Sequence, residues 1–225
     1  MATPGNTSEN AFSRSVVVVE DDAFMRSLIA EYLEKGGFRV TTAGTAADAQ
    51  RQIRAFDPDA IVLDIDLGSG PTGLDLARTI NSNEVGLVFL TNFSDPRFAG
   101  YDVKAAHPKA AYLNKHMLED SGVLLDALNA VLLERDVANY RFDSRDDRPM
   151  AHLSNSQIQA LRLIAEGKTN QQIAEIRQRS LAATESLVSR TLVAVGIDPG
   201  HDHNSRVVAA ARFITLGGSQ NTESL

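Results

Sequence analysis

The chain has 225 residues, 43% of them hydrophobic, with 29 Asp and Glu against 22 Lys and Arg, a net charge of −7 and no cysteine. That length fits one large or two ordinary domains with sizeable cores, and the lack of cysteine excludes a disulfide framework and thiol chemistry. No apolar run is long enough for a membrane helix and the opening MATPGNTSENAFSRS has no signal-peptide core, so a soluble, cytoplasmic protein without a membrane partner is expected.

Residues 1–14 read as a disordered lead. Through residue 137, apolar runs of strand length alternate with helix-like stretches, the pattern of an α/β sheet. Strands are predicted near 16–20, 38–43, 60–64, 86–91 and 110–114, and helices near 22–36, 45–55, 72–82, 95–105 and 117–136. Gly36-Gly37 stops the first helix. The last helix carries Leu118, Val123, Leu124, Leu125, Leu128, Val131, Leu132 and Leu133. That broad apolar face suits core packing, or a dimer or interdomain surface.

Four of the strands end in polar residues. VVVVEDD at 16–22 ends in Glu20, Asp21 and Asp22, and IVLDIDL at 61–67 contains Asp64. VFLTN at 88–92 reaches Thr91, and AYLNK at 111–115 reaches Lys115. In an open parallel sheet the carboxyl ends of strands converge on one rim, where ligands bind. Mg²⁺ takes oxygen ligands and keeps several waters, so one or two carboxylates suffice. Asp21 and Asp64 fit as direct ligands, Glu20 through water, and the backbone carbonyl of Asp66 as a further ligand. An aspartate can act as a nucleophile toward phosphorus, which gives Asp64 a second role. Lys115 supplies a point charge for phosphate oxygens and Thr91 a hydroxyl. A single polar strand end is an ordinary solvated terminus; four on correctly ordered strands point to a site.

These segments resemble the receiver domain of two-component response regulators over roughly residues 15–137. The resemblance implies a five-stranded parallel, doubly wound, flavodoxin-like domain. It implies that Glu20 and Asp21 are the acidic pair, Asp64 the phosphoacceptor, Thr91 the switch hydroxyl and Lys115 the invariant lysine. Tyr112 matches the aromatic that changes rotamer on activation. Mg²⁺ is the implied cofactor and a sensor histidine kinase the implied partner. There are three departures: His116 replaces the usual proline, LGSGPTG at 67–73 is about one residue longer than the common loop, and Asp66 adds a third acid. Asp66 and Phe93 lie where the family tunes dephosphorylation.

Residues 138–151 are charged and poor in aliphatics, and read as a linker. Residues 152–217 then read as a small all-α bundle. Its first helix runs through LSNSQIQALRLIAEG, with Ser154 as cap and Gly167 as stop. Helices through QQIAEI, AATESLVSRTLVAV and 205–217 come next, and 218–225 is a disordered tail. Residues 1–150 hold 15 Lys and Arg against 23 Asp and Glu, net −8, whereas 151–216 hold 7 against 5, net +2. Only the second part leans toward nucleic acid, and weakly.

LRLIAEGKTNQQIA at 161–174, ESLVSRTL at 185–192 and Gly196-Ile197 resemble the LuxR/NarL-type helix-turn-helix domain. The resemblance implies a recognition helix in the major groove. By residue type, Arg190, Ser186 and Ser189 are DNA-contact candidates, joined by Lys168, Arg177 and Arg179 if the turn faces DNA. The middle departs from the family. Gln178 replaces the turn glycine that eases a left-handed backbone. Arg177 and Arg179 stand where buried apolar residues are expected, and Glu185 and Leu187 where lysine and histidine often face DNA. No glycine or proline occurs between Gln171 and Val195, so a helix-turn-helix and one fused helix are both open.

The reading is a response regulator, phosphorylated on Asp64, that controls homodimerisation and DNA binding for transcription. The alternative is a receiver that gates a protein-interaction module whose divergent helix-turn-helix no longer binds DNA. A free-standing enzyme is not expected. His201-Asp202-His203 is too tightly spaced for a separated histidine pair and reads as a solvated loop, as does His107 before Pro108. Gly68, Gly70 and Gly73 form no phosphate loop, since no lysine-serine pair comes after them.

Overall fold

The five apolar runs form the strands β1 (Ser15–Val19), β2 (Arg39–Ala43), β3 (Ala60–Leu63), β4 (Gly86–Thr91) and β5 (Ala111–Asn114). In this computed structural model, residues 13–80, 84–93, 95–100, 103–119, 122–146, 150–197 and 204–217 are described. The tail, most of the lead and His201-Asp202-His203 lie outside them. The strands pair in parallel in the order β2-β1-β3-β4-β5. β1 and β3 are buried along their whole length, which is why they read as continuous apolar runs rather than alternating ones. The edge strand β2 is RVTTA and only partly buried. The chain reverses its winding between β1 and β3, and the rim beyond that switch point is where an open sheet binds ligands.

The helices of the sheet's own unit are α1 (Ala23–Lys35), α2 (Ala46–Phe56), α3 (Gly73–Ala77) and α5 (Val123–Leu132); a short helix, α4 (Val103–Ala106), comes before β5 in the chain. Asp22, Thr45 and Thr72 cap the first three, each accepting a backbone N–H three residues on, as short polar side chains do at helix starts. Two predicted helices are corrected. The stretch 95–105 is a 3-10 turn, Pro96–Ala99, and then the short α4. Gly100 stands between them at φ 87, a left-handed backbone that ends a helix. The stretch 117–136 splits into a 3-10 turn, Lys115–Glu119, and α5. α5 buries Leu124, Ala127, Leu128, Ala130 and Val131, so core packing absorbs most of its apolar face, and Leu133 is left 45% exposed.

The chain divides into two compact units. The first comprises residues up to Thr91 together with Lys109–Tyr140; the second comprises Asn92–Pro108 together with residues from Arg141 onward. The segment read as a linker has buried residues among those described. Arg141 and Asp143 are both buried and joined by two hydrogen bonds, 2.8 and 2.5 Å. Arg141 also donates to the carbonyl of His107 at 2.9 Å. His107 is not a solvated loop residue: it ends α4 and is 5% exposed.

The second unit contains α6 (Asn155–Ala165), α7 (Asn170–Arg177), α8 (Leu181–Ala194) and α9 (Ser205–Gly217). Its core joins Leu161, Ile173, Val188, Leu192 and Phe213 to Phe98 from the 3-10 turn. The two possibilities for 171–195 are resolved in favour of a turn. Gln178 adopts φ 52, ψ 50, and the N–H of Arg179 bonds to the carbonyl of Ala174. That bond closes a helix C-terminus even without glycine. Ser180 then caps α8 by accepting the N–H of Ala183. Ile173 and Ala174 on one side, and Val188 and Leu192 on the other, are buried, and burying both sets holds the bend.

Candidate functional site

The carboxyl ends of β1, β3, β4 and β5 bring the predicted residues to one rim. Lys115 places its ammonium 2.6 Å from an oxygen of Asp64 and 2.8 Å from Glu20. Glu20 and Asp64 are 1% and 4% exposed. Carboxylate oxygens of Glu20, Asp21 and Asp64 all lie within 4.8 Å of one another. Three carboxylates against one ammonium leave an excess of negative charge in a largely buried space.

The electrostatics arise from that crowding. Burial pushes the Glu20 carboxyl up to about 7, and the Asp64 charge adds to this against the hydrogen bond from Lys115. Burial likewise raises Asp64 above the ordinary carboxylate range, with Lys115 opposing it. Burial alone would lower Lys115, but the attraction and hydrogen bonds of Asp64 and Glu20 outweigh it and raise the ammonium above its usual value. A divalent cation among the oxygens would relieve both raised carboxyls. The all-oxygen donor set, spanning a single ion's reach, suits a hard cation, so the residues fit a metal held by Glu20, Asp21 and Asp64.

The neighbouring residues divide by role. Asp22 caps α1, its side chain accepting the N–H of Met25 at 2.7 Å. Asp66 presents its backbone N–H to Asp64 at 3.3 Å, and its side chain accepts from Gly68. Thr91 ends β4 fully buried, in register with Asn114. Tyr112 lies fully buried in β5 opposite Phe89, with ring centroids 6.4 Å apart.

Two residues shape the site in ways the sequence reading did not assign. Arg26, one turn into α1, donates to the carbonyls of Glu20 at 2.6 Å and Asp21 at 3.1 Å, which holds the acidic segment in place. An arginine one turn beyond an acidic run was the available signal. Gly73 packs so closely that a Cβ there would lie 1.8 Å from the carbonyl oxygen of Asp64. Only a residue without a side chain lets the loop return against the strand. The spacing from Asp64 to Gly73 was visible, but not its purpose.

The six DNA-contact candidates do not form one cluster. Arg177, Arg179 and Arg190 line a common cleft, whereas Lys168, Ser186 and Ser189 are not among its lining residues. Ser186, Ser189 and Arg190 are exposed on α8, and Arg190 donates to the carbonyl of Ser186 at 3.3 Å. Lys168 precedes α7, and its carbonyl accepts from Arg206.

Residues 16–129 match the response regulator receiver domain. The chain belongs to that family. Similarity to two regulators extends past the receiver, along most of the chain. One is a probable transcriptional regulator, ycf29, of Pyropia yezoensis, 28% identical over 192 residues, which span 80% of this chain and 83% of that one. The other is the oxygen regulatory protein NreC of Staphylococcus aureus, 25% identical over 198 residues, spanning 81% and 91%. In fold, the chain is similar to RcsB of Salmonella enterica serovar Typhimurium bound to a promoter. The TM-score is 0.56 at 18% identity, over 90% of this chain and 99% of that one. The chain is a response regulator, with a receiver followed by a helical bundle that contains a helix-turn-helix. No helix among the described residues is long and apolar enough to cross a membrane.

Proposed function

We propose that a sensor histidine kinase phosphorylates Asp64 with Mg²⁺ bound at Glu20, Asp21 and Asp64, and that this controls dimerisation and promoter binding in the cytoplasm. The observation that carries this reading is the Lys115 bridge between Asp64 and Glu20 inside the acidic cluster. When bound, the metal would offset the charge of the carboxylates and of the incoming group. An Asp64 carboxylate oxygen forms the new bond to phosphorus as the bond to the donor breaks. Lys115 then holds the oxygens of the acyl phosphate, and the Thr91 hydroxyl bonds them. The backbone carbonyl of Asp66 would be the further metal ligand. No other substrate chemistry is assigned to the chain.

The second unit begins at the residue after Thr91, so a shift of Thr91 would pull on chain that is already part of the output unit. Arg97 in that segment is paired with the fully buried Asp95 and donates to the carbonyls of Leu153 and Met150. Tyr112, buried beside β4, would move with it. DNA as partner is supported by the preserved turn at Gln178 and by the regulators the chain resembles. The alternative of a module that has lost DNA binding is not favoured on the same grounds.

Labelling by a small phosphodonor with Mg²⁺ tests the site. Asp64→Asn should abolish it, and label retained on another residue overturns the assignment. A gel shift with phosphorylated protein tests the output, with salt-sensitive, sequence-selective binding expected.

A further inference from the structure

A cleft of about 350 Å³ opens in the second unit, lined by the first turns of α6 and α8 and by the turn joining α7 to α8. Arg177, Arg179 and Arg190 converge on it. Their hydrogen bonds go to neutral acceptors, namely Gln159, the carbonyl of Gln178 and the carbonyl of Ser186. Among the described residues, no ion pair engages any of the three. Partial burial, and then the like charge of Arg179, hold the Arg177 guanidinium below its ordinary range.

Two helix starts face the same space. Ser156 and Gln157 come from the first turn of α6, and Ala183 and Thr184 from the first turn of α8. Helix N-termini carry partial positive charge and favour anions. Thr184 supplies an independent observation: it is 1% exposed, yet its hydroxyl has no hydrogen-bond partner. A buried hydroxyl without a partner is costly in a folded protein, and this one lines the cleft. Guanidinium groups on several sides, with a hydroxyl donor, suit a tetrahedral oxyanion better than a planar carboxylate.

We propose that this cleft seats one phosphate group. The group belongs either to a nucleic-acid backbone or to a small phosphorylated compound. The seat exists because this chain places arginine on both sides of Gln178, where its family resemblance would put apolar side chains.

The probe is inorganic phosphate added to the Mg²⁺-free full chain, read at the backbone amides of Ala183 and Thr184 by NMR, so that anions near Lys115 are not counted. Saturable shifts absent with chloride are expected. Arg179→Gln and Arg190→Gln should each weaken binding about tenfold, the usual scale for a charge-assisted bond. Thr184→Val should also weaken phosphate binding while leaving the phosphate-free protein as stable or more so, which a purely structural role would not produce. Shifts that do not saturate, or affinity unchanged in both arginine variants, overturn the proposal. Displacement of phosphate by duplex DNA assigns the seat to the backbone; saturable phosphate binding that DNA does not displace assigns it to a small compound. Phosphate bound at this seat by a chain that fails to bind DNA would leave the seat standing and overturn the DNA reading instead.

Discussion

Phe98 meets Phe213 edge to face, with ring centroids 5.2 Å apart and an interplanar angle of 77°. Phe98 lies in the 3-10 turn after β4, and Phe213 in the last helix of the chain. Both belong to one hydrophobic cluster, at 5% and 8% exposure. The segment that leaves Thr91 at the end of β4 is thus part of the core that holds α6 to α9 together. Phe98→Ala should therefore destabilise the second unit by about 3 kcal/mol, the lower end for a buried phenylalanine. Hydrogen exchange should show protection lost in α6 and α9, with that of β1 and β3 retained. Loss confined to the sheet would contradict this placement.

The acidic rim predicts an unusual pH response. Glu20 titrates near 7 in the fold, against 4.5 for the free group. Between those values the folded state binds the extra proton, so metal-free stability should fall as pH rises from about 4.5 through about 7. Asp64 is raised as well and acts in the same sense. Urea midpoints without Mg²⁺ should drop across this range, and Glu20→Gln should flatten the slope. Because the proton competes with the cation, Mg²⁺ affinity should rise with pH over the same window. A midpoint that climbs with pH would reverse the assignment.

Removing Lys115 exposes the same charge balance. Lys115→Ala leaves Glu20 and Asp64 without their shared cation, and removing one member of a buried ionic cluster costs about 3 kcal/mol or more. The loss should be larger at pH 8 than at pH 5.5, where Glu20, raised to about 7, is protonated, and Mg²⁺ should restore part of it. Chemical unfolding at both pH values, with and without the metal, measures this. An equal loss at both would mean that the ammonium acts through packing rather than charge.

Gly73→Ala tests the return of the loop against β3. The added carbon would lie 1.8 Å from the carbonyl oxygen of Asp64, a clash with backbone that no rotamer relieves. The variant should unfold at lower urea and lose most of its labelling rate at Asp64, whereas Gly122→Ala, whose added carbon meets only the Asp126 carboxylate at 3.7 Å, should disturb labelling far less. Wild-type rates in Gly73→Ala would show that the loop can retreat freely.

The sequence made the rim legible because each strand end carries its chemistry in one residue, and parallel order places those ends together. Glu20, Asp21, Asp64, Thr91 and Lys115 needed only that rule. Other features depended on tertiary partners. The helix drawn over 95–105 breaks at Gly100, and Arg97 then bonds carbonyls 53 and 56 residues away in sequence. Arg141 and Asp143 read as part of a linker because the segment is charged and poor in aliphatics; here they satisfy each other in the interior. Arg177 and Arg179 looked like damage to a turn, and the turn forms regardless because Ile173 and Val188 bury on either side of it.

Gln178 carries the strain of that turn. Its φ of 52 lies in the left-handed region, which costs a residue with a side chain about 1 kcal/mol relative to glycine. Its N–H is satisfied by Glu175 and the bend is fixed by neighbours, so relief of strain should appear directly as stability. Gln178→Gly should therefore stabilise the second unit by about 0.5–1 kcal/mol, less whatever the freer unfolded chain takes back. Gln178→Val should destabilise it, since a β-branched residue tolerates this backbone poorly. Thermal unfolding of the two variants should bracket the wild type. If valine proved as stable as glutamine, α7 and α8 would be joined in solution by some backbone other than this turn.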